Sequence, residues 1–360
     1  MRVLHIIDHA GLGGAQAIVK GIFENQKNNE NIFLYVLRNT KINIAVNHKN
    51  VLTCNSKLRY SIKPLKELKK IIKDHEINIL HCHLFRSQVT GWILKKYYFP
   101  DLKLIFHEHG QIFENHRYYN ILMRKFASNV DLFIAVSNAT KNKLIEVAKV
   151  SERKIIGLYN FIDLERFNRK KIKIDVPKEK DILKINKDEF VIGFVGRLSK
   201  VKGCEYLIRA LPNLDFKYKA IVVGEGPLKK ELESLATRLE VKNNIIFLGY
   251  IPKIEYVYPL FDVLTIPSIS ESFGLSAVEA QAMQLPVIAS NVNGLNEVII
   301  NNHNGLLFKS KDSSDLAEVI KKLRTDKKLR KGLIKNLLVK LDKYNIRTYL
   351  TGLDHLYKNV

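Results

Sequence analysis

The stretch DVLTIPSISESFGLSAVEAQAMQLPVIAS, residues 262–290, contains in one run the elements that decide the fold. It opens with the apolar pattern DVLTIPS, passes through a loop into a helical pattern that starts near Leu275, and closes with a second apolar run, PVIAS. A strand, a helix and a strand in this order form a βαβ unit, whose two strands are parallel. The stretch therefore predicts a parallel α/β sheet, with Glu271 and Glu279 on either side of the start of its helix.

The same alternation of apolar runs and helical patterns extends through the rest of the chain. Further strand patterns are RVLHII (2–7), IFLYVL (32–37), INILHCHL (77–84), KLIFHE (103–108), DLFIAVS (131–137), KIIGLYN (154–160), FVIGFVG (190–196), YKAIVVG (218–224) and NIIFLG (244–249). Between the strand patterns that end at residue 160 and those that begin at residue 190, the charged segment 166–188 has weak periodicity and is interpreted as a linker. We therefore predict two doubly wound Rossmann-like domains, 1–165 and 189–342, that face a central cleft where ligands bind.

The composition is that of a globular chain. The 360 residues are 46% hydrophobic, and no apolar run is long enough for a transmembrane helix. The apolar run in the first residues is too short for a signal peptide, so a cytoplasmic location is expected. Three scattered cysteines, Cys54, Cys82 and Cys204, fit neither a disulfide framework nor a zinc ribbon.

The net charge of +23 is large for a chain of this length. A basic surface attracts phosphate groups, whether of a nucleotide, a nucleic acid or an anionic membrane. No nucleic-acid-binding signature occurs in the sequence, so nucleic acid is not expected as a partner. A solvated lysine-rich surface is the alternative interpretation of the same charge.

Two loops that follow predicted strands are suited to phosphate binding. In GRLSKVKG (196–203), Gly196 ends a strand, and the cations Arg197 and Lys202 precede a helix. An anion at such a position gains from both charges and from the free N–H groups of the helix. In HAGLGGAQ (9–16), Gly14 would let the backbone approach a phosphate, although a tight turn explains the same glycines.

Glu271 is expected in the loop before the helix of the opening stretch, and Glu279 in the first turn of that helix. Carboxylates accept hydrogen bonds, and the neighbouring hydroxyls of a sugar donate them in pairs. The two side chains suit a ribose and a hexose, with a diphosphate between them at the helix N-terminus. The alternative is a capping box formed by Ser276 and Glu279, with Glu271 on the surface.

Together these motifs resemble the family-4 glycosyltransferases, which have two Rossmann-like domains in the B-type glycosyltransferase architecture. The resemblance spans nearly the whole chain. It is carried by GLGGAQ (11–16), LHCHLFRS (80–87), HEHG (107–110), AVSNATK (135–141), LYNFID (158–163), GRLSKVKG (196–203), VVGEGP (222–227), FLGY (247–250), PSISESFGLSAVEAQAMQLPVIAS (267–290), NGLNEVI (293–299) and NGLLF (304–308).

The resemblance implies a glycosyltransferase that moves a hexose or N-acetylhexosamine from a nucleotide diphosphate sugar, with UDP favoured, to a cell-surface or lipid-linked glycan. It also implies retention of the anomeric configuration, no metal and no cofactor, and a final helix, 343–360, that packs on the first domain. The residues expected in the donor site are Gly14, Gly196, Arg197, Lys202, Glu271, Phe273, Gly274, Leu275, Ser276 and Glu279.

By the same resemblance, His109 lies near the reacting anomeric carbon and is a catalytic residue together with Glu271, Arg197 and Lys202. His83 and Asn160 are expected on the acceptor side. The chain departs from the common family pattern at Gln16, Phe161 and Ser272, and in NGLNEVI (293–299). These departures concern the identity of the donor sugar more than the activity.

Other interpretations stay open. The pairs His81 with His83 and His107 with His109 share strand faces, as the ligands of a zinc enzyme would. A non-catalytic subunit that binds a nucleotide-sugar would carry the same donor residues. An epimerase or phosphorylase on a related fold is the third alternative.

The segment FENHRYYNILMRKF (113–126) interleaves basic residues with aromatic and aliphatic ones. Such a helix is typical of binding to an anionic membrane surface, and equally of an ordinary helix packed on the sheet. Peripheral association with the inner face of the cell membrane is therefore one hypothesis for this protein.

Overall fold

The computed structural model describes residues 1–11, 13–38, 46–54, 61–110, 117–339 and 341–360, without the side chains of residues 117 and 118. By its internal contacts the chain divides into two units. Unit 1 comprises residues 1–161 and 346–360, and unit 2 comprises residues 162–345. Each unit has its own sheet and its own core.

Unit 1 contains a seven-stranded parallel sheet in the order β3-β2-β1-β4-β5-β6-β7. Its strands are β1 (Val3–Ile7), β2 (Ile32–Val36), β3 (Val51–Thr53), β4 (Ile79–His83), β5 (Lys103–Glu108), β6 (Leu132–Ala135) and β7 (Ile155–Gly157). Its helices are α1 (Gly14–Glu24), α2 (Lys63–Asp74), α3 (Phe85–Tyr97), α4 (Arg117–Ala127), α5 (Asn138–Glu146) and, from the end of the chain, α13 (Ile346–Asn359).

Unit 2 contains a six-stranded parallel sheet in the order β10-β9-β8-β11-β12-β13. Its strands are β8 (Phe190–Val195), β9 (Tyr218–Val223), β10 (Ile245–Gly249), β11 (Val263–Ile266), β12 (Val287–Ser290) and β13 (Leu306–Phe308). Its helices are α6 (Val176–Ile182), α7 (Cys204–Ala210), α8 (Lys229–Arg238), α9 (Leu275–Ala282), α10 (Asn293–Asn296), α11 (Ser313–Thr325) and α12 (Lys327–Asn336).

The two parallel sheets confirm the predicted α/β class. Every residue of β1 and β2 is buried, as expected for strands that helices cover on both faces. The predicted strands agree with the structure to within two residues at each end, except KIIGLYN (154–160), which extends three residues past the end of β7. The pattern missed β3 and β13, because strands of three residues are too short to show a period.

The segment expected as a linker, 166–188, belongs to unit 2 and contains a helix. The carboxylate of Asp175 accepts a hydrogen bond from the backbone N–H of Lys178, at 3.2 Å, and caps α6. The ring of Phe167 is buried, with its centroid 6.1 Å from that of Tyr258. The helix in this charged segment could not be recognised from the sequence, because α6 buries none of its own residues.

Helix α4 overlaps the segment considered for membrane binding, of which residues 113–116 lie outside the described part of the chain. Tyr119, Met123 and Phe126 are at most 4% exposed and belong to the core of unit 1. The apolar face of α4 therefore packs against the sheet, which corrects the interfacial interpretation of these three residues. Among the described residues, no helix combines the length and hydrophobicity that crossing a bilayer requires.

Candidate functional site

In unit 2, the loops that follow β8 and β9 are packed backbone against backbone. Gly224 has φ +140°, and a Cβ built on it would lie 1.9 Å from the carbonyl oxygen of Gly196. The backbone N–H of Leu198 donates to the carbonyl of Glu225 at 3.0 Å. A side chain at position 224 would separate the two loops, so this glycine is required by the close approach.

The loop after β11 is held against the loop after β8 in the same way. The backbone N–H of Ile269 donates to the carbonyl of Val201 at 2.8 Å. Gly203 has φ +63°, and a Cβ there would lie 2.0 Å from the carbonyl oxygen of Pro267. These contacts fix the position of Lys202, which lies between Val201 and Gly203.

Lys202 and Glu271, predicted from separate motifs, form an ion pair. Lys202 Nζ lies 2.5 Å from Glu271 Oε2, and the Ser268 hydroxyl lies 3.3 Å from the same oxygen. The side chains are 32% and 14% exposed, so the pair is partly shielded from solvent. The third predicted polar residue of this region, Arg197, is exposed directly after Gly196. Three cations therefore follow β8, namely Arg197, Lys200 and Lys202, and Lys202 is already paired with a carboxylate.

Helix α9 starts at Leu275, as predicted, beside this ion pair. Gly274 precedes it with φ +93°, and a Cβ on Gly274 would lie 3.7 Å from Glu271 Cγ and 2.6 Å from a side-chain carbon of Leu295. Phe273 is 2% exposed, so its side chain is not available to a ligand. The first N–H groups of α9, including that of Ser276, have no acceptor within the helix and carry partial positive charge.

Glu279 is the fifth residue of α9 and lies in its second turn, not in the first turn as expected. Gly274 is the N-cap residue and there is no side-chain cap, so the capping-box alternative with Ser276 is wrong. Glu279 Oε2 instead accepts a hydrogen bond of 2.6 Å from the Tyr258 hydroxyl. Burial raises the pKa of Glu279, while the hydrogen bond from Tyr258 and the charge of Arg166 oppose that shift.

Three residues near Glu279 were missed by sequence reasoning: Tyr258, Arg166 and Glu255. Arg166 Nη2 and Nε lie 2.7 Å and 2.9 Å from Glu255 Oε2, and Nη2 also donates to the carbonyl of Pro252 at 2.8 Å. Arg166 precedes α6 in the segment interpreted as a linker, where no local pattern indicated a tertiary contact.

In unit 1, Gly14 is the exposed first residue of α1. A Cβ on the preceding residue, Gly13, would lie 2.3 Å from Gln16 Oε1. Gln16 is buried, and its Nε2 lies 3.4 Å from the carbonyl of His9. The start of α1 thus presents its backbone, with Gln16 turned back onto the preceding loop.

Five histidines form a cluster on one face of strands β1, β4 and β5 and the residue after β5; they are His5, His81, His83, His107 and His109. The first four are 0% exposed, and His109 is partly exposed. In the sheet register His5 is opposite His81, and His83 is opposite His107. Residues 81 and 83 share a face, as do 107 and 109, so the rings stack along each strand with centroids 4.3 Å and 3.9 Å apart.

The structure joins His83 to His109, through a contact of 2.9 Å between His83 Nδ1 and His109 Nε2. The other ring nitrogen of His83 lies 3.0 Å from His5 Nδ1. His83 therefore has both ring nitrogens engaged inside unit 1. The Asn160 side chain is 5% exposed, and its Oδ1 has no hydrogen-bond partner within the described residues.

The zinc alternative depends on whether these imidazoles converge on one point. Two triplets, His5 with His81 and His83, and His83 with His107 and His109, have ligand atoms within 4.8 Å of one another. The rings of the second triplet are nearly parallel, with interplanar angles of 23° to 38°. A shared metal would have to displace the hydrogen bond between His83 and His109.

Comparison with known proteins agrees with this architecture. The model of the group 1 glycosyl transferases matches residues 175–337, and that of glycosyltransferase family 4 matches residues 28–166. An uncharacterized glycosyltransferase of Methanocaldococcus jannaschii is 30% identical over 84% of this chain and 81% of the relative. A second one from that organism is 33% identical over 56% of this chain, but the match spans only 53% of its length.

A relative from Escherichia coli, named as a UDP-Gal:alpha-D-GlcNAc-diphosphoundecaprenol alpha-1,3-galactosyltransferase, is 29% identical over 76% of this chain and 73% of its own. Among solved structures, Anabaena HepE in complex with UDP and glucose superposes with a TM-score of 0.89 over 100% of both chains, at 22% identity. This last likeness concerns the fold.

Proposed function

The chain belongs to the group 1 glycosyltransferases of the family 4 type, and we propose that it moves a hexose or N-acetylhexosamine from a UDP-sugar to a cell-surface or lipid-linked glycan. The name of the Escherichia coli relative states a UDP-sugar donor and a lipid-diphosphate-linked acceptor. Anabaena HepE was solved with UDP and with UDP-glucose. Both support this choice of substrates.

The observation that carries the proposal is the ion pair of Lys202 and Glu271 beside the N-terminus of α9. In the proposed complex the donor diphosphate binds to the positive charges of Lys202 and Arg197 and accepts hydrogen bonds from the first N–H groups of α9. Glu271 then accepts hydrogen bonds from the transferred sugar. Glu279 accepts those of the ribose, in place of or beside that of Tyr258.

The reaction we propose retains the anomeric configuration and needs no metal. The bond between the anomeric carbon and the diphosphate breaks, and a bond to the acceptor oxygen forms on the same face. The proton of the acceptor hydroxyl passes to the departing diphosphate. Lys202, Arg197 and the α9 dipole stabilise the charge that develops there. In this reaction Glu271 accepts hydrogen bonds from the sugar hydroxyls and forms no bond to the anomeric carbon.

In unit 1 we propose that His109 contacts the sugar near the anomeric carbon and that Asn160 lies on the acceptor side. Gly14 would close on the phosphates with the exposed backbone at the start of α1. The buried Oδ1 of Asn160 has no partner among the described residues, which supports a role in which it accepts a hydrogen bond from a ligand.

We also propose peripheral association with the inner face of the cell membrane. The support is the charge of +23 and the outer face of α4, where Arg124 and Lys125 are exposed and Ile121 is 53% exposed. Flotation with vesicles containing anionic lipid checks this. Binding at low salt that is lost at high salt is expected, and protein that stays unbound at low salt contradicts it.

The test of the donor site is thermal stabilisation by a panel of UDP-, GDP- and ADP-sugars. At a concentration one hundred times Kd, the matching donor is expected to stabilise the wild type by about 2.7 kcal/mol. Glu279→Gln is expected to lose this stabilisation. Glu231→Gln, which removes the same charge from an exposed position of α8, is expected to keep it.

A panel without effect on a folded wild type would contradict the donor site. Stabilisation without transfer or slow hydrolysis of the donor would instead favour the non-catalytic subunit. Transfer that persists in EDTA, with the donor's anomeric configuration seen by NMR in the product, is the result expected for the proposed reaction.

A further inference from the structure

Six groups of unit 1, five of them buried and His109 partly exposed, form one continuous chain of hydrogen bonds, which we call the histidine relay. Its members, in order, are His109, His83, His5, Tyr357, His81 and His107. The five successive contacts join His109 Nε2 to His83 Nδ1 (2.9 Å), His83 Nε2 to His5 Nδ1 (3.0 Å), His5 Nε2 to the Tyr357 hydroxyl (3.1 Å), that hydroxyl to His81 Nδ1 (2.6 Å), and His81 Nε2 to His107 Nδ1 (3.2 Å).

Within the part of the chain that the structure describes, only the two ends of the relay lack a partner. His109 Nδ1 and His107 Nε2 are buried and have no hydrogen-bond partner within the described residues. Every other ring nitrogen of the five histidines takes part in one of the contacts above. Tyr357 is contributed by α13, so the relay joins the last helix of the chain to strands β1, β4 and β5.

The imidazoles of the relay are neutral at pH 7. Burial lowers the pKa of His5 and of His109 to about 3. Burial is also the largest cause that lowers the pKa of His81, His83 and His107 well below its ordinary value, and repulsion between the rings adds to it. A neutral imidazole has one N–H and one acceptor nitrogen, so each ring can donate in one direction only.

The Tyr357 hydroxyl lies between two halves of the relay, one formed by His109, His83 and His5 and the other by His81 and His107. It requires the rings of both halves to donate in the same direction. It has a single hydrogen, so it donates to one neighbour and accepts from the other. If it donates to His5, the hydrogen bonds are complete only when all five rings carry their proton on Nδ1. If it donates to His81, they are complete only when all five carry it on Nε2. Within the described residues, each of these two states leaves one buried N–H without an acceptor, at His109 Nδ1 or at His107 Nε2. A mixed arrangement also leaves at least one of the five contacts with two hydrogens or with none.

We propose that the histidine relay is a positioning device, in which Tyr357 forces the five histidines into one common tautomer and so decides whether His109 Nδ1 is a donor or an acceptor. His5, His83 and Tyr357 are then positioning residues for His109. Conversion of one state into the other balances as one proton lost at one end and one proton gained at the other. His107 Nε2, which has no hydrogen-bond partner within the described residues, is the opposite end at which this proton is gained or lost.

This relation among tautomers stands on the structure alone, whereas its consequence for catalysis rests on the proposed function. Two variants in the same helix test it. Tyr357→Phe removes the hydroxyl that joins the two halves. Tyr349→Phe is the matched control, because Tyr349 is also buried on α13, but its hydroxyl has no partner within the described residues.

The measurement is long-range ¹H–¹⁵N correlation NMR of protein labelled with ¹⁵N-histidine, which distinguishes protonation at Nδ1 from that at Nε2. The wild type and Tyr349→Phe are expected to show all five relay histidines protonated on the same nitrogen. In Tyr357→Phe, the two ring nitrogens that face the phenyl ring, His5 Nε2 and His81 Nδ1, are expected to carry no proton. His5, His83 and His109 are then protonated on Nδ1, while His81 and His107 are protonated on Nε2.

Mixed tautomers in the wild type, five like tautomers in Tyr357→Phe, or the same change in Tyr349→Phe would each overturn the relay. For transfer, we expect Tyr357→Phe to lower kcat about tenfold or more with little change in the donor KM, and Tyr349→Phe to leave both unchanged. Equal kcat values in the two variants would overturn the link to catalysis. A wild type with no transfer activity would contradict the proposed function, and the spectra would still decide the relay.

Discussion

The carboxyl ends of the strands in unit 2 and the histidine cluster of unit 1 are built on opposite principles. The first region places charged side chains, Lys202, Glu271 and Arg197, in loops where solvent still reaches them. The second places histidine rings in a dry interior, where burial keeps them uncharged and hydrogen bonds join them to one another. Charge recognises a phosphate without needing an exact geometry, whereas a neutral network depends on the placement of every hydrogen.

The largest effect is expected on stability, from a substitution at the backbone contact between the loops that follow β8 and β9 of unit 2. Gly224→Ala places a Cβ 1.9 Å from the carbonyl oxygen of Gly196, at a φ of +140°. We expect a loss of about 4 kcal/mol in the free energy of unfolding, from strain and displacement of the two loops together. Urea denaturation measures it.

Gly332→Ala in α12 is the control in the same unit, since a Cβ there meets nothing within 4 Å. It is expected to stabilise the protein by about 0.5–1 kcal/mol, as alanine does in a helix. Equal stability of the two variants would show that the loops after β8 and β9 adapt, and that the region does not depend on close backbone packing.

A second prediction tests how strongly the interior of unit 1 opposes charge. Glu108, on β5, is 2% exposed, and burial raises its pKa from 4.5 to about 7, although hydrogen bonds from Gln88 and Tyr119 oppose the shift. The folded state therefore binds more protons than the unfolded chain between about pH 4.5 and 7. The stability that Glu108 contributes falls through this window as pH rises, by about 3 kcal/mol in total.

Glu108→Gln should remove this dependence. The difference in unfolding free energy between variant and wild type is expected to grow in favour of the variant from pH 5 to pH 8. Chemical denaturation at several pH values measures this difference. A constant difference across the range would mean that Glu108 titrates near its ordinary pKa, and that the interior of unit 1 tolerates charge.

The smallest of the three effects concerns the ion pair of unit 2. Lys202→Met keeps the aliphatic part of the side chain and removes the charge that the proposed diphosphate site uses. We expect the Kd for UDP to rise about 10- to 100-fold, the equivalent of about 1.4–2.8 kcal/mol. Lys230→Met, which removes the same charge from α8, is the control and should leave Kd unchanged.

Isothermal titration calorimetry of both variants with UDP gives the comparison. Unchanged affinity in Lys202→Met would mean that Lys202 serves only to pair Glu271. The charge of Lys202 would then not contribute to binding of UDP.

Much of the charged region could be predicted from sequence, because it consists of local signals. A strand pattern followed by Gly196, Arg197 and Lys202 places cations at a strand end, and the start of α9 at Leu275 follows from its helical period. The assignment of Glu279 to the first turn was wrong by one turn. Its contact with Tyr258 could not be predicted, because 21 residues separate the two and no pattern links them.

The neutral region could be predicted only in part. The pairs at positions 81 and 83 and at 107 and 109 were visible as alternating residues on strands. His5 was not singled out, since a lone histidine in an apolar strand has no local signal, and its place beside His83 depends on the register of β1 and β4. Tyr357 is 276 residues from His81 in sequence, so only the packing of α13 brings the two together.

The same placement of α13 determines the order in which the protein can be completed during synthesis. Residues 162–345 leave the ribosome before residues 346–360, so all of unit 2 is available to fold while unit 1 still lacks a helix. The rings of His5 and His81 are therefore synthesised before unit 2, and the Tyr357 hydroxyl that joins them is synthesised after it. In this protein the N-terminal half begins first and is finished second, which reverses the usual vectorial order of domain folding.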